Sequence, residues 1–293
     1  MKIGSVAWGW TLTPEDMPKG DSLKQIATDV KALGFDVVDY LSAFDSLDEF
    51  FTEKACKELA AHVAGIGLEM GGLVFQSDLW NNPDKTVQAT QLAYFAKCCN
   101  AASNLGAKTI SCIIPGPFGA RRNRKASPSE KIALNLPADY SWERDWTLFA
   151  DMMRKACDMA ADSGLRIALE CFPRSLCSTP HAMMQIITDV ARPNFGIQLD
   201  TAHLVNQNID VETAVFMLGA KRIFNVHAKD SDGLTRGNLP AGTGIVDYTA
   251  FLAALRHIGY AGNLSVEVEF TDNPKRYMKQ AVDHVRMCMA GTY

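Results

Sequence analysis

Short apolar runs alternate with longer amphipathic stretches along the whole chain, eight times over. The first run is KIGSVAW (2–8), followed by the helical pattern SLKQIATDVKAL (22–33), which ends at Gly34. The second is FDVVDY (35–40), with a helix predicted over 47–64. The third is GLEMGGLVF (67–75), with a helix over 84–105 closing at Gly106. The fourth is KTISCII (108–114), then a long polar loop over 115–141 and a helix over 142–163 ending at Gly164. The fifth, LRIALEC (165–171), precedes a helix that starts after Thr179-Pro180. The sixth, FGIQLD (195–200), precedes a helix capped by Asp210. The seventh, RIFNVHAKD (222–230), precedes a helix capped by Asp247, and the eighth, NLSVEVEF (263–270), a final helix over 274–290. Apolar runs of this length bounded by turn residues read as buried strands, and the longer periodic stretches as helices. Asp, Ser and Thr ahead of the helices and glycines behind them supply the expected caps.

Eight strand-plus-helix units predict an α/β fold, a (β/α)8 TIM barrel, as a single domain over 1–293. A doubly wound sheet is the rival, and eight clean repeats favour closure. No Pro/Gly/Ser-rich linker divides the chain. A length of 293 residues suits one such barrel. The net charge of −4 lacks the footprint of a nucleic-acid binder or a polybasic membrane segment. No apolar stretch is long enough to span a bilayer, and MKIGSVAWGW lacks the apolar core of a signal peptide. The eight cysteines form no C-x-x-C pair. They read as buried thiols of a cytoplasmic protein rather than as a zinc ribbon.

Four candidate ligands sit at or near the ends of four consecutive runs: Glu170 in IALE, Asp200 in GIQLD, His227 in FNVH and Glu267 in LSVEVE. In a barrel the carboxyl ends of the strands form the active-site rim, so residues far apart in sequence meet there. A lone carboxylate at a strand end is more often a helix cap or loop hydrogen-bonder. Four in succession are hard to obtain by accident. Alternation puts Ser265, Glu267 and Glu269 on one face of the eighth run, and Ile223, Asn225 and His227 on one face of the seventh. An inward carboxylate is costly unless paired or bound to a cation. Two Glu, one Asp and one His form an oxygen-rich set suited to one divalent cation, Mn²⁺ first, with Mg²⁺, Co²⁺ or Zn²⁺ as alternatives.

The ordered set IALE (167–170), LDTAH (199–203), VHAKD (226–230), GTGIVDY (242–248) and YAGNLSVEVE (260–269) resembles the xylose isomerase-like TIM barrels. That group contains sugar isomerases and epimerases of the D-tagatose 3-epimerase type. The resemblance implies that Glu170, Asp200, His227 and Glu267 bind one cation. It also implies that Glu170 and Glu267 transfer protons, through a cis-enediolate, on a keto-sugar or sugar derivative. His203, three after Asp200, matches a substrate-oxygen binder. The resemblance also makes a homodimer or homotetramer plausible.

Arg174 lies four after Glu170 and could hold a substrate hydroxyl or carboxylate, a surface ion pair being the equal alternative. Trp8, after the first strand, is the first choice among rim aromatics to stack on a sugar. Glu269 could replace Glu267 as ligand, but Glu267 fits the S-V-E pattern. The basic segment 119–131 reads as a solvated loop, with a lid as the alternative. GTGIVDY reads as a tight turn into the Asp247 cap, not a nucleotide loop. Two departures leave the substrate open. Ketohexose epimerases carry a second Glu where this chain has Leu176, and an Arg where it has Gly233, with Arg236 the nearby substitute. A metal-dependent lyase or dehydratase acting on a keto-sugar, inosose or keto-glycoside is the main alternative. An endonuclease IV-type enzyme would need more histidine ligands, and a non-catalytic sugar binder would not need two glutamates.

Overall fold

A computed structural model describes residues 1–11, 19–42, 47–77, 79–120, 135–234, 239–269 and 271–291. Eight parallel strands close on themselves in chain order: β1 (Lys2–Val6), β2 (Val37–Ser42), β3 (Glu69–Phe75), β4 (Thr109–Ile113), β5 (Arg166–Glu170), β6 (Phe195–Asp200), β7 (Ile223–Ala228) and β8 (Asn263–Val266). Closure comes from β8 pairing with β1, Lys2 opposite Asn263 through Ser5 opposite Val266. Parallel strands require crossovers, and helices supply them: α1 (Asp21–Ala32), α2 (Leu47–Phe50), α3 (Glu53–Gly65), α4 (Lys85–Leu105), α5 (Trp142–Ala161), α6 (Pro180–Val190), α7 (Thr201–Val205), α8 (Val211–Leu218), α9 (Tyr248–His257) and α10 (Pro274–Ala290). The expected TIM barrel is therefore the fold.

The caps are where the sequence puts them. Asp84, Ser141, Thr179, Asp210, Asp247 and Asn273 each accept a backbone N–H in the first turn of the following helix. The single helix expected over 47–64 is two pieces, because Thr52 is extended and caps α3 through Ala55 N. One helix was not foreseen: α7 starts directly at the end of β6. The eighth run is also longer than its strand. Regular pairing stops at Val266, and Glu267 N adds one further bond to Ala228 O at 3.1 Å.

Strand–helix packing is apolar. Phe75, Trp80 and Phe95 meet edge to face with centroids 5.5 to 5.7 Å apart, and all eight cysteines are buried free thiols. Among the described residues no helix is long and apolar enough to cross a membrane.

The barrel interior, by contrast, holds polar groups in bonded sets. Gln198 Oε1 accepts from Ser111 Oγ and, at 3.0 Å, from Asn225 Nδ2. Asp39 accepts from Gly72 N and from Ser265 Oγ, and burial raises its carboxyl above the ordinary range. The β2–β3 register shifts between Val38 and Tyr40 at this carboxylate. Gly71 makes room for it: a Cβ there would run into Asp39 Oδ1 and come within 2.7 Å of Val37 Cγ1. Overpacking of this kind costs about 2 kcal/mol. Gly71→Ala is expected to lower unfolding stability by that amount in urea titration, and an unchanged midpoint would contradict the close fit.

Candidate metal centre

The barrel brings Glu170, Asp200, His227 and Glu267 together at one rim. One ligand atom from each lies within 4.8 Å of the others, and all four side chains are buried. Glu170 and Asp200 are the last residues of β5 and β6, His227 is the penultimate residue of β7, and Glu267 follows β8 directly. Adjacent register does the aligning: Asp200 sits opposite His227, and His227 opposite Ser265.

Each ligand has a further constraint. Asp200 is both strand end and helix cap. Its Oδ1 accepts from His203 N at 2.9 Å, which starts α7. Its Oδ2 is buried with no hydrogen-bond partner. His227 Nδ1 lies 3.3 Å from Gln198 Nε2, 2.6 Å from Glu267 Oε2 and 3.6 Å from Glu170 Oε1. The 2.6 Å contact does not satisfy Glu267 Oε2, which has no bond of hydrogen-bonding geometry, and His227 Nε2 is also unsatisfied. Buried polar atoms are nearly always paired. Orphaned oxygens facing a cluster of acids fit a cation well.

The electrostatics agree. Burial raises the Glu170 carboxyl, but His203 and His227 outweigh it and bring it down to about 2. Burial likewise raises Glu267, and Lys229 with His227 drives it well below the ordinary range. Asp200 is raised, chiefly by burial. Burial disfavours the His227 imidazolium, yet Glu267 and Glu170 raise its pKa well above the usual value. The carboxylates thus draw a proton onto His227, a charge that a cation would replace, since metal ligation needs the neutral imidazole.

Other expected residues fall around this group. His203, on α7, is buried, with Nε2 3.7 Å from Glu170 Oε1 and 3.8 Å from Asp200 Oδ2. Trp8 is buried in the short 3₁₀ turn after β1, its ring centroid 5.9 Å from that of His227. Arg174 differs from them: it is exposed on the loop after β5, with its backbone in the left-handed region (φ 65°). Arg236 lies outside the described residues, as do residues 121–131 of the basic segment. Leu176 is buried, and Gly233 has φ 73°, so an Arg at that position would be strained.

Two residues of VHAKD carry roles that the sequence reading passed over. Lys229 is 3% exposed, with Nζ 2.7 Å from Glu267 Oε1 and 3.4 Å from Glu269 Oε2. Asp230 gathers the turn before α9, accepting from Ser231 N and Gly242 N at 2.9 Å and from Val246 N at 3.1 Å. GTGIVDY is therefore a turn leading into the Asp247 cap, as read. A lysine placed in an apolar strand run, two after a candidate ligand, was the available signal for the first. Nothing local marks the second.

Comparison with known proteins places the fold among relatives. An L-ribulose 3-epimerase of Mesorhizobium japonicum is 26% identical over 272 residues, 91% of this chain and 80% of that protein. An inosose isomerase of Bacillus velezensis is 24% identical over 263 residues, 85% of this chain and 84% of that one. A solved L-ribulose 3-epimerase structure superposes with a TM-score of 0.78 at 20% identity, covering 99% of this chain and 95% of that one. The family model for the xylose isomerase-like TIM barrel matches residues 27–288. With eight parallel strands closed in order and a buried Glu-Asp-His-Glu cluster at their carboxyl ends, the chain belongs to the xylose isomerase-like TIM barrel family, among sugar epimerase and isomerase relatives.

Proposed function

We propose that the chain is a divalent-metal-dependent sugar isomerase or epimerase acting on a keto-sugar or sugar derivative. The observation that carries this reading is the pair of glutamates, Glu170 and Glu267, among four buried donors with unsatisfied oxygens. Glu170, Asp200, His227 and Glu267 would hold the cation. When bound, it supplies Lewis-acid polarisation of the substrate carbonyl and stabilises charge on its oxygen. The oxygen-rich donors favour Mn²⁺.

Glu170 and Glu267 come from strands three apart around the rim, at the ends of β5 and β8. A carboxylate removes the proton from the carbon beside the carbonyl, and a cis-enediolate results. Return of a proton to the opposite face gives epimerisation, and return to the neighbouring carbon gives isomerisation. His203, beside Glu170 and Asp200, would donate to a substrate oxygen. Trp8 and Phe172 flank the two histidines, the second with its centroid 5.9 Å from that of His203. Their rings would offer apolar surface to a sugar face. Arg174 and Arg236 are proposed outer contacts for substrate hydroxyls. The ketose relative from Mesorhizobium japonicum supports the substrate class. Leu176 and Gly233, at positions where ketohexose epimerases differ, leave the substrate open, and a lyase using the same proton abstraction is the second reading.

Mn²⁺ is expected to raise the thermal midpoint, with stabilisation of about 2.7 kcal/mol at a hundredfold excess over Kd. A chelator should reverse the gain and Asp200→Ala abolish it; a melt indifferent to all three would contradict the cation site. The Mn²⁺-loaded protein, incubated in D₂O with ketopentoses, ketohexoses, inososes and keto-glucosides, is expected to place deuterium beside the carbonyl of one of them, read by NMR and mass spectrometry. Conserved product mass marks an isomerase or epimerase, loss of water or alcohol a lyase, and no exchange with any substrate overturns the proposal. Glu170→Gln and Glu267→Gln should each lower turnover about 10³-fold with circular dichroism unchanged.

A further inference from the structure

The two glutamates of the cluster are not equivalent. Glu267 has its oxygens divided: Oε1 lies 2.7 Å from the Lys229 ammonium, and Oε2 faces the cluster, 2.6 Å from His227 Nδ1. Among the described residues Glu170 has the imidazoles of His203 and His227, at 3.7 and 3.6 Å, and no ammonium partner. Lys229 is itself anchored. Its Nζ is shared with Glu269 Oε2 at 3.4 Å, its backbone N donates to Thr201 Oγ1 at 3.0 Å, and its side chain is 3% exposed. A positive charge buried beside a cation site repels the ion the site would take, so its presence there calls for a compensating role.

We propose that Lys229 is a positioning residue that holds Glu267 by one oxygen, keeps it a single-oxygen ligand, and so leaves coordination positions open for substrate oxygens. The inference rests on the metal-dependent reading above. A carboxylate can close on a cation with both oxygens, and a site filled that way has fewer places for water or substrate. Catalytic metal sites differ from structural ones in keeping such positions. The ammonium blocks that closure by occupying Oε1. Glu269 keeps the ammonium in place and, lying on the same side as Glu267, is excluded from the cation by the same contact.

The test is Mn²⁺ binding by the full chain, without substrate, at mildly alkaline pH. Calorimetry gives affinity, and water-proton relaxation gives the number of exchanging waters on the bound ion. Lys229→Met removes both the repulsion and the restraint. It is expected to bind Mn²⁺ tighter, by about tenfold or more for loss of a nearby buried charge, with fewer exchanging waters than the wild type. Should it fail to fold by circular dichroism, Lys229→Gln also lacks the ammonium and is expected to shift both readouts in the same direction. A variant that binds Mn²⁺ no more tightly, or keeps the wild-type water count, overturns the role of Lys229 while leaving the metal site intact. Wild-type protein that binds no divalent cation overturns the metal reading and this inference with it.

Discussion

Burial of three carboxylates within a few ångströms of one another is the constraint around which the rim is built. Glu170, Asp200 and Glu267 share one enclosed space, and like charges there repel while losing their hydration. The chain relieves this locally. Lys229 takes one oxygen of Glu267, the backbone of α7 takes one oxygen of Asp200, and the imidazoles of His203 and His227 lie against Glu170. Among these carboxylates one oxygen each on Asp200 and Glu267 remains unsatisfied, and these define where positive charge belongs.

The polar layers beneath the rim serve the same end. Gln198 reaches His227 Nδ1 from below while held by Ser111 and Asn225. Ser265, on the strand that delivers Glu267, is held by Asp39. A barrel filled only with branched aliphatic side chains would leave the ligands free to turn. Bonded polar groups fix their orientation, as outer partners of metal ligands commonly do. The interior is thus a support for the site, and small residues such as Gly71 admit the bulk of Asp39.

Fold and ligand set were both legible in the linear chain, for different reasons. Eight apolar runs with caps at Asp84, Thr179, Asp210 and Asp247 require only local chemistry to be recognised, and closure follows from their number and order. Glu170, Asp200, His227 and Glu267 were visible because each sits at or near the end of a run, so position along a strand translated into position on the rim. Helix α7 was not visible, because Asp200 acts as ligand candidate and cap at once, and the pattern was read for the first role alone. The break before α3 was hidden for a similar reason: Thr52 sits within an amphipathic pattern that continues across it.

What the sequence determined by itself was the succession of strands and helices, the family, and four donors at strand ends. Only the tertiary structure decided which atoms of those donors are already engaged. Lys229 on Glu267, Asp230 on the turn before α9, and Asp39 on Ser265 join residues 38, 12 or 16, and 226 positions apart. Hydrogen bonds and ion pairs depend on distances of a few ångströms and on angles. Sequence periodicity tells which face a side chain takes, and the closed barrel sets how far it reaches and what it meets.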